Sequence, residues 1–387
     1  MWYAFYRMEI TIQNEIKPGG SVTLPPSKSE TIRAALLLRL SGEDPERAVA
    51  GFCAPYCSDI CDALLAAKEL KTAYVGESAA LMRFMIPVQA ALFGRVTISA
   101  DEELFSRGLK EIEDCFGVSL ERIPGTTLIY KKAVIKRKTR FEIDCSRSSQ
   151  FLSGLLIALP LLRHDCEIIV KNGLVSSPYA EMTLDFVRLF GGDIERTDTG
   201  FITHPSAYTA PERIPVHGDR SYAAVFEAMD LFGGEVTVWG ERDPMQPDSD
   251  FLLISSLPVI DVTDCPDIMP LLAVTACGKA GETVIIGTGR LSSKESDRPK
   301  AVEALINSLG GSAEARENSL VIRGSGHLAG GRCSSFGDHR IAFAAAVAAL
   351  ISNSPVTVEG AECVSKSAPR FWEDLVSLGM EITEVLN

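Results

Sequence analysis

The sequence of 387 residues predicts an α/β (α+β) protein, because helical and strand-like segments alternate along its whole length. In a recurring pattern, a helical stretch ends in an apolar residue and glycine, and a short strand follows; copies lie at 115–121, 189–195, 231–238, 308–314 and 377–383. Glycine suits the left-handed position after a helix because it has no Cβ. Further strand-like runs lie at 96–100, 166–172, 282–288, 319–324 and 355–360. These observations predict a repeated helix-then-strand unit with variable insertions.

Composition is typical of globular proteins, with 46% hydrophobic and 23% charged residues and enough length to bury a large core. Acidic residues outnumber basic ones by 51 to 38. The net charge of −13 disfavours nucleic acid and anionic membranes as partners, although a few converging cations can still hold a small anion. The longest strictly apolar run, 341–351, is too short to cross a bilayer, and the N-terminal residues do not resemble a signal peptide. We therefore expect a cytoplasmic protein.

The ten cysteines are expected to be the reduced thiols of a cytosolic protein. Cys53, Cys57 and Cys61 form a C-x3-C-x3-C pattern that invites comparison with a metal-cluster site. However, Pro55 interrupts the segment, and i, i+4 spacing also suits small buried residues of a helix. The five histidines show no paired ligand spacing. We therefore expect no metal and no cofactor.

Five predicted helices begin with a hydroxyl or Asp cap, a nearby cation and an apolar run. Their opening residues are Ser27, Lys28 and Arg33; Ser148, Ser149 and Gln150; Ser176 and Ser177 before Pro178; Lys294, Glu295 and Arg298; Asp338 and Arg340. Ser27 and Glu30 also fit a capping box. Helix N-termini attract anions, so a cation there is unfavourable unless an anion binds beside it. Any one instance fits an ordinary surface charge, but the set predicts a polyanionic ligand, and no P-loop or dinucleotide motif is present.

The segment LPPSKSETIR (24–33) resembles the first signature of the enolpyruvyl transferases, and among them the 5-enolpyruvylshikimate-3-phosphate synthase family of 3-phosphoshikimate 1-carboxyvinyltransferases. The resemblance continues in order through GESAALMRF, SSQFLSGLL, SSPYAEMTL, PDIMPLLAV, KESDR, GDHRIA and VSKSAPRFWEDL, at 76–84, 148–156, 176–184, 266–274, 294–298, 337–342 and 364–375. Ordered motifs along almost the whole chain make this resemblance specific.

The resemblance implies two lobes, each built from three βαβαββ repeats, with the active site in the cleft between them. We expect a monomer, because nothing in the sequence demands an oligomer. The implied lobes are 25–217 for the N-terminal lobe and 1–24 plus 218–387 for the C-terminal lobe. Composition by itself indicates a boundary at 212–222, where proline, glycine and polar residues cluster. The two lines of reasoning therefore agree on the second crossing.

The resemblance also implies a reaction in which shikimate 3-phosphate and phosphoenolpyruvate join through a tetrahedral intermediate and release phosphate. Residues implied to bind shikimate 3-phosphate are Lys28, Ser29, Arg33, Ser148, Ser149, Gln150, Ser176, Asp267 and Lys294. Those implied to bind phosphoenolpyruvate are Lys28, Ala79, Arg107, Gln150, Arg298, Arg340 and Lys366. The implied catalytic residues are Lys28, Asp267 and Glu295, which move protons at the 5-hydroxyl and the vinyl carbon.

Each assignment has a structural alternative. Glu295 also fits a capping acid in a first helical turn, Asp267 fits an N-cap, and Lys366 fits a solvated loop lysine. His339 is expected to support the GDHR turn rather than to transfer protons. Where the family usually has Gly and then a hydroxyl residue, this chain has Ala79 and Ala80. Alanine at that glycine is associated in this family with poor binding of the inhibitor glyphosate, so we expect glyphosate insensitivity.

Two other activities stay open at this stage. The departures at Ala79 and Ala80 leave room for a weakened or repurposed homologue that binds shikimate 3-phosphate without normal turnover. A UDP-N-acetylglucosamine enolpyruvyl transferase would share the donor, but its first motif carries Lys-Asn where this chain has Lys28-Ser29, and Cys115 does not lie in a comparable mobile loop.

Overall fold

The computed structural model describes residues 8–123, 128–131, 135–241 and 245–386. Its strands are β1 Met8–Ile12, β2 Gly19–Thr23, β3 Ala73–Tyr74, β4 Val96–Ser99, β5 Glu121–Arg122, β6 Leu128–Lys131, β7 Arg140–Cys145, β8 Cys166–Leu174, β9 Asp193–Thr197, β10 Gly200–His204, β11 Glu235–Trp239, β12 Val259–Asp261, β13 Ala280–Ile286, β14 Ala313–Arg316, β15 Ser319–Ser325, β16 Gly331–Ser334, β17 Val356–Glu359 and β18 Ile382–Leu386. Its helices are α1 Lys28–Leu40, α2 Ser58–Lys68, α3 Ala79–Phe93, α4 Lys110–Phe116, α5 Gln150–Ala158, α6 Ser177–Leu189, α7 Arg220–Asp230, α8 Phe251–Ile254, α9 Met269–Cys277, α10 Arg298–Ser308, α11 His339–Ala349 and α12 Phe371–Ser377.

The glycine pattern predicts all five helix ends correctly. The first glycine of each copy has a positive φ, between 71° and 92°, at Gly117, Gly191, Gly233, Gly310 and Gly379. Gly117 shows the reason, because its amide and that of Val118 both donate to the Glu113 carbonyl and close the end of α4. The strand-like runs coincide with β4, β8, β13, β15 and β17, so these predictions are also confirmed.

Four sheets repeat one topology, β–α–β–α–β–β. Their strand orders are β3-β4-β6-β5, β7-β8-β10-β9, β12-β13-β15-β14 and β16-β17-β1-β18. In each sheet the first two strands run parallel, joined by a helix, and the other pairs are antiparallel. The N-terminal strand β1 completes the sheet of β16–β18, so this repeat is closed by a segment from the opposite end of the chain.

Six repeats are expected, and four of them are complete in the described residues. A fifth copy is shorter: β2 pairs in parallel with β11, and α7 precedes β11, but the pair has no further strand. In place of a sixth sheet, residues 26–68 form α1, a short 3-10 helix and α2, without a strand. The chain therefore has a mixed α/β architecture in which two of the six expected repeats have fewer strands than predicted in the described residues.

The chain divides into two compact units. Unit 1 holds residues 8–25, 54–57 and 218–386, and unit 2 holds residues 26–53 and 58–217. In unit 1, every residue of α9 and α11 is buried, because both helices are apolar on all sides. In unit 2, α5 is buried from Phe151 to its end. No described helix has the length and apolar character needed to cross a lipid bilayer.

Candidate active site

Most predicted site residues of unit 2 lie at or next to the N-terminal ends of helices, whereas Arg33 is the sixth residue of α1 and Arg107 ends the 3-10 helix Glu102–Arg107. The helices α1, α3, α5 and α6 begin at Lys28, Ala79, Gln150 and Ser177. At α1, the Ser27 hydroxyl accepts from the Glu30 amide at 3.4 Å, as the capping box predicts. The other half of the box differs: the Ser27 amide donates to the His217 carbonyl, and the Glu30 carboxylate accepts from the His217 amide at 2.6 Å. A residue remote in sequence therefore completes this cap.

Lys28 forms an ion pair with an acid that the sequence analysis did not identify. Its Nζ lies 3.0 Å from Oδ2 of Asp59, the second residue of α2. The Asp59 side chain is 6% exposed, and its Oδ1 has no hydrogen-bond partner in the described part of the chain. The ion pair with Lys28 compensates the charge of this buried carboxylate. The signal for it would have been the acidic first turn of α2.

Arg33, predicted to bind shikimate 3-phosphate, is committed to protein groups in this structure. Its Nε donates to Thr183 Oγ1 at 2.7 Å, and its terminal nitrogens donate to the carbonyls of Ser29 and Tyr179. The guanidinium also lies 5.0 Å from the ring centre of Phe84. Burial lowers the pKa of Arg33 to about 10. Its structural role is to join α1 to α6, the first and last of the unit 2 helices whose opening residues were predicted to bind an anion.

The serines at α5 and α6 are brought together by direct contact. Ser149 Oγ donates to the carbonyl of Ser176 at 3.1 Å, and the Gln150 amide donates to Ser148 Oγ at 3.2 Å. Ser176 has a φ of 52°, a left-handed conformation that is unfavourable for serine. Such strain is retained where surrounding structure fixes it and is common at ligand sites.

Arg83 links two predicted phosphoenolpyruvate ligands, although the sequence analysis did not name it as a site residue. Its guanidinium donates to Gln150 Oε1 at 2.7 Å and to the Arg107 carbonyl at 3.3 Å. The same group lies 5.3 Å from the ring centre of Phe151. Arg83 belongs to the GESAALMRF motif, so its position in that motif was the available signal.

Ala79 and Ala80 are the first two residues of α3, and both are half-buried. Ser78 precedes them as the N-cap, but its side chain makes no capping bond. The Ser78 hydroxyl is buried without a hydrogen-bond partner among the described residues. The start of α3 therefore lacks the side-chain cap that most helices use.

In unit 1, Arg298 lies at the centre of three carboxylates. Its guanidinium nitrogens lie 3.0 Å from Asp267 Oδ1, 3.1 Å from Glu295 Oε2 and 3.0 Å from Asp338 Oδ2. We refer to these four residues as the Arg298 cluster. The Arg298 side chain is 1% exposed, so a ligand reaches it only by replacing one of these partners. Burial acts to lower the pKa of Arg298, but the three carboxylates outweigh that effect and raise it.

Asp338 joins two segments of unit 1 through one carboxylate. It is fully buried and accepts hydrogen bonds from Arg298 Nε, from Ser296 Oγ at 3.1 Å and from the Arg340 amide at 3.0 Å. The last bond caps α11, as predicted from the GDHR motif. Asp338 therefore ties the KESDR segment to the start of α11.

The remaining predicted cations of unit 1 surround the Arg298 cluster. Lys294 Nζ lies 3.8 Å and an Arg340 nitrogen 3.6 Å from the Asp267 carboxylate. Lys366 Nζ lies 3.8 Å from Glu295 Oε1. Burial is the largest influence on Lys294 and lowers its pKa to about 8, although Asp267 acts in the opposite direction. The sequence predicts cations that are available to bind an anion. In the structure, Lys294, Arg340 and Lys366 each face a carboxylate of the protein.

The structure excludes the capping or solvent-exposed alternative considered for three residues. Glu295 lies before α10, which begins at Arg298, so it is not a first-turn capping acid. Asp267 lies inside the 3-10 helix Pro266–Ile268 and pairs with Arg298, so it is not an N-cap. The Lys366 side chain is 8% exposed, which excludes a solvated loop lysine.

Groups suited to a metal ion were also sought. Within the described ranges, no set of three or more His, Cys, Asp or Glu side chains is placed to hold one. All ten cysteines are free thiols, and Cys53 and Cys61 are exposed while Cys57 is buried.

Comparison with known proteins gives consistent results. A family model described as EPSP synthase (3-phosphoshikimate 1-carboxyvinyltransferase) matches residues 56–255 and 247–375. The chain is 33% identical to a 3-phosphoshikimate 1-carboxyvinyltransferase of Clostridium kluyveri over an alignment of 421 positions. This alignment covers 96% of this chain and 97% of the relative. It is 30% identical to the protein of the same name from Methanocorpusculum labreanum over an alignment of 412 positions. This alignment covers 94% of this chain and 97% of the relative.

Solved structures agree on the fold. EPSP synthase from Acinetobacter baumannii superposes with a TM-score of 0.74 at 20% identity, covering 98% of this chain and all of that one. The enolpyruvyl transferase NikO from Streptomyces tendae gives a TM-score of 0.69 at 13% identity, covering 99% and 100%. At these identities the likeness concerns the fold alone. Together with the matching motifs and the sequence relatives, it leads to one conclusion: the chain belongs to the EPSP synthase family.

Proposed function

We propose that this protein transfers the enolpyruvyl group of phosphoenolpyruvate to the 5-hydroxyl of shikimate 3-phosphate and releases phosphate, as a 3-phosphoshikimate 1-carboxyvinyltransferase of the shikimate pathway of aromatic amino-acid biosynthesis. The observation that carries the proposal is that the polar residues predicted for the site form two polar groups, one in each unit. Unit 2 supplies hydroxyls, an amide and cations at helix starts, and unit 1 supplies the Arg298 cluster with its surrounding cations.

Unit 2 is proposed to hold shikimate 3-phosphate. Hydroxyl and amide donors at the starts of α5 and α6 suit a phosphate monoester, and the helix N-termini add partial positive charge. The proposed ligands are Lys28, Ser29, Arg33, Ser148, Ser149, Gln150 and Ser176, completed by Asp267 and Lys294 of unit 1. The Ser149–Ser176 contact supports this set because it places the two hydroxyl-bearing segments side by side.

Phosphoenolpyruvate is proposed to bind Lys28, Ala79, Arg107, Gln150, Arg298, Arg340 and Lys366. Guanidinium forks bind carboxylate or phosphate with two parallel hydrogen bonds. The Arg83 contacts support this set, because they hold Gln150 and the Arg107 backbone in one place. The same cations would stabilise the phosphate as it leaves.

The chemistry is proposed to proceed in two steps. In addition, Asp267 takes the proton of the 5-hydroxyl as its oxygen bonds to C2 of phosphoenolpyruvate, while Glu295 and Lys28 supply a proton to C3. In elimination, the C2–O bond to phosphate breaks, the leaving phosphate takes up the proton that Asp267 accepted, and one proton on C3 returns to Glu295, so both carboxyl groups regain their starting state. Atoms and charge balance with phosphate as the leaving group. The contacts of Glu295 with Arg298 and Lys366 orient its carboxylate for this exchange.

The test is phosphate release by the purified protein given both substrates, measured for wild type and for Glu295→Gln. We expect wild-type turnover that falls by about two to four powers of ten in the variant, because proton transfer contributes on that order. The exposed Glu314→Gln is the matched control and should keep wild-type activity. Release that is absent in wild type, with shikimate 3-phosphate still bound, would contradict the proposal and favour a repurposed homologue.

We further propose a monomer in the cytoplasm, with lobes at 25–217 and at 1–24 plus 218–387. The ten free thiols support a reducing compartment. Light scattering coupled to gel filtration should give a mass near 41.8 kDa. A mass of twice that value would contradict the monomer.

A further inference from the structure

Asp144 lies between two segments that carry proposed shikimate 3-phosphate ligands, and it has no part in the proposed chemistry. It is the last residue but one of β7 and is half-buried. Its Oδ1 accepts from the Ser146 amide at 2.8 Å and from the Ser146 hydroxyl at 2.6 Å. Its Oδ2 accepts from Asn172 Nδ2 at 2.6 Å. One carboxylate therefore holds both the turn after β7 and a residue of β8.

The β8 residue that Asp144 holds belongs to a bulge. The register between β7 and β8 shifts between Asp144 and Cys145, which leaves Asn172 and Gly173 without a register partner on β7. Both residues are left-handed, with φ of 58° and 89°. Asparagine tolerates this conformation better than most residues, because its short side chain can form a local hydrogen bond. A bulge redirects the strand beyond it and is common beside active sites.

The two segments meet again where they carry serines of the proposed site. Just beyond the bulge, the Val175 amide donates to the Cys145 carbonyl at 3.2 Å. The next residue, Ser176, has a φ of 52°, and its carbonyl accepts from Ser149 Oγ at 3.1 Å. A serine keeps such a conformation only where its surroundings fix it. The hydrogen bonds of Asp144 lie at the base of both segments, so they help to fix the backbone that presents these serines.

Asp144 and Asn172 also line a cavity of about 480 Å³ in unit 2. Arg107, a proposed phosphoenolpyruvate ligand, and Glu142, two residues before Asp144 on β7, line it as well. The Glu142 carboxylate pairs with Lys171 at 3.2 Å. In the described part of the chain it does not bond the turn or the bulge that Asp144 holds. Glu142 is therefore a carboxylate of the same strand and cavity that lacks the bonds of Asp144.

We propose that Asp144 is a positioning residue for shikimate 3-phosphate: by bonding both the turn after β7 and the bulge of β8, it keeps Ser149 and Ser176 in the arrangement that binds the ligand. The inference rests on the proposed role of these two serines. It assigns Asp144 no contact with the substrate and no proton transfer.

Position and charge predict opposite effects when the Asp144 carboxylate is removed. The hydrogen bonds from Ser146 and Asn172 hold the pKa of Asp144 below its ordinary value although burial opposes them, so the group is negative at neutral pH. If Asp144 acted only through this charge, its removal would strengthen the binding of an anion. If it acts by positioning, its removal weakens binding, because the serine segments lose their preorganised arrangement.

The experiment measures the dissociation constant of shikimate 3-phosphate by titration calorimetry in the absence of phosphoenolpyruvate. In Asp144→Ala we expect this constant to rise roughly three- to tenfold, the effect of losing about one typical hydrogen bond. Glu142→Ala removes a carboxylate from the same strand and cavity and should leave the constant unchanged or lower it. A constant for Asp144→Ala equal to or below that of Glu142→Ala would overturn the inference.

Asp144→Asn separates positioning from charge by rescue. Asparagine is neutral, but its oxygen can accept from Ser146 and its amide nitrogen can donate to the side-chain oxygen of Asn172. We therefore expect Asp144→Asn to bind shikimate 3-phosphate within about twofold of wild type, because both hydrogen bonds are replaced. Binding as weak as that of Asp144→Ala would refute the positioning role.

A second site keeps the test valid if Asp144→Ala folds poorly. Asn172→Gly removes only the bond to the bulge, and glycine adopts the left-handed conformation without strain. The dissociation constant should rise about two- to threefold, with kcat at saturating substrates nearly unchanged. An unchanged constant would overturn the inference. Wild-type protein that does not bind shikimate 3-phosphate would instead refute the proposed function, so the two failures are distinguishable.

Discussion

The two polar groups of this protein use charge differently. In unit 2 the groups at helix starts are mainly hydroxyls and amides, and the cations Lys28 and Arg33 are held by one acid and by neutral acceptors. In unit 1, four cations face carboxylates in and around the Arg298 cluster before any substrate binds. Buried charges require such compensation, because an isolated ion in the interior is very costly. Unit 2 thus presents mainly neutral polar groups at its helix starts, whereas unit 1 holds its buried cations in place by pairing them with carboxylates.

The largest effect on stability and turnover should come from Asp338→Asn, which removes one of the carboxylates that balance the charge of buried Arg298. Removing one partner of a buried ion pair costs about 3–5 kcal/mol because the other charge stays buried. We expect lower stability in urea unfolding and turnover reduced by at least a hundredfold. The control is Asp297→Asn in the same segment, because Asp297 is half-buried and pairs only with the exposed Lys300 in the ion pairs of the described residues. Equal stability of the two variants would show that Arg298 does not depend on Asp338.

A second test concerns the packing that positions Arg83 in unit 2. A Cβ on Gly154 would lie 2.5 Å from the Arg83 carbonyl and 2.7 Å from the Pro87 ring, so Gly154→Ala must separate α3 from α5. Overpacking of this kind costs about 1–3 kcal/mol. Gly19→Ala meets no atom closer than 4.0 Å and should leave the free energy of unfolding nearly unchanged. A stability for Gly154→Ala equal to that control would contradict the close approach.

Arg83→Lys tests the hydrogen bonds of Arg83 in unit 2 while keeping its positive charge. Lysine cannot donate to both Gln150 and the Arg107 carbonyl through a planar fork. We expect the KM for phosphoenolpyruvate to rise about tenfold, the loss of roughly one strong hydrogen bond, with a smaller change in kcat. Arg140→Lys, at an exposed ion pair, should leave both constants unchanged. An unchanged KM in Arg83→Lys would remove Arg83 from the site.

The smallest effect on turnover should come from Ala79→Gly. The methyl group stands at the first position of α3, where the family usually has glycine, and we expect it to hinder glyphosate more than phosphoenolpyruvate. Wild type should resist micromolar glyphosate, and the variant should become sensitive while keeping comparable turnover. Inhibition of wild type at micromolar concentrations would refute the expectation.

The sequence determined those features that depend on neighbouring residues. Glycines after apolar residues fixed five helix ends, Asp338 capped α11, and ordered motifs identified the family. The predictions of helix ends and of the α11 cap succeeded because helix termination and capping depend on a few neighbouring residues.

Only the tertiary structure decided which groups meet. Arg298 and Asp338 are 40 positions apart, Arg83 and Gln150 are 67 apart, and His217 completes a cap at Glu30 from 187 positions away. Local sequence patterns also do not show that β1 completes the sheet of β16–β18. Nor do they show that two of the expected repeats have fewer strands in the described residues. Such partners depend on how whole elements pack to bury apolar surface and satisfy buried charge, and that outcome is set by the chain as a whole rather than by any segment of it.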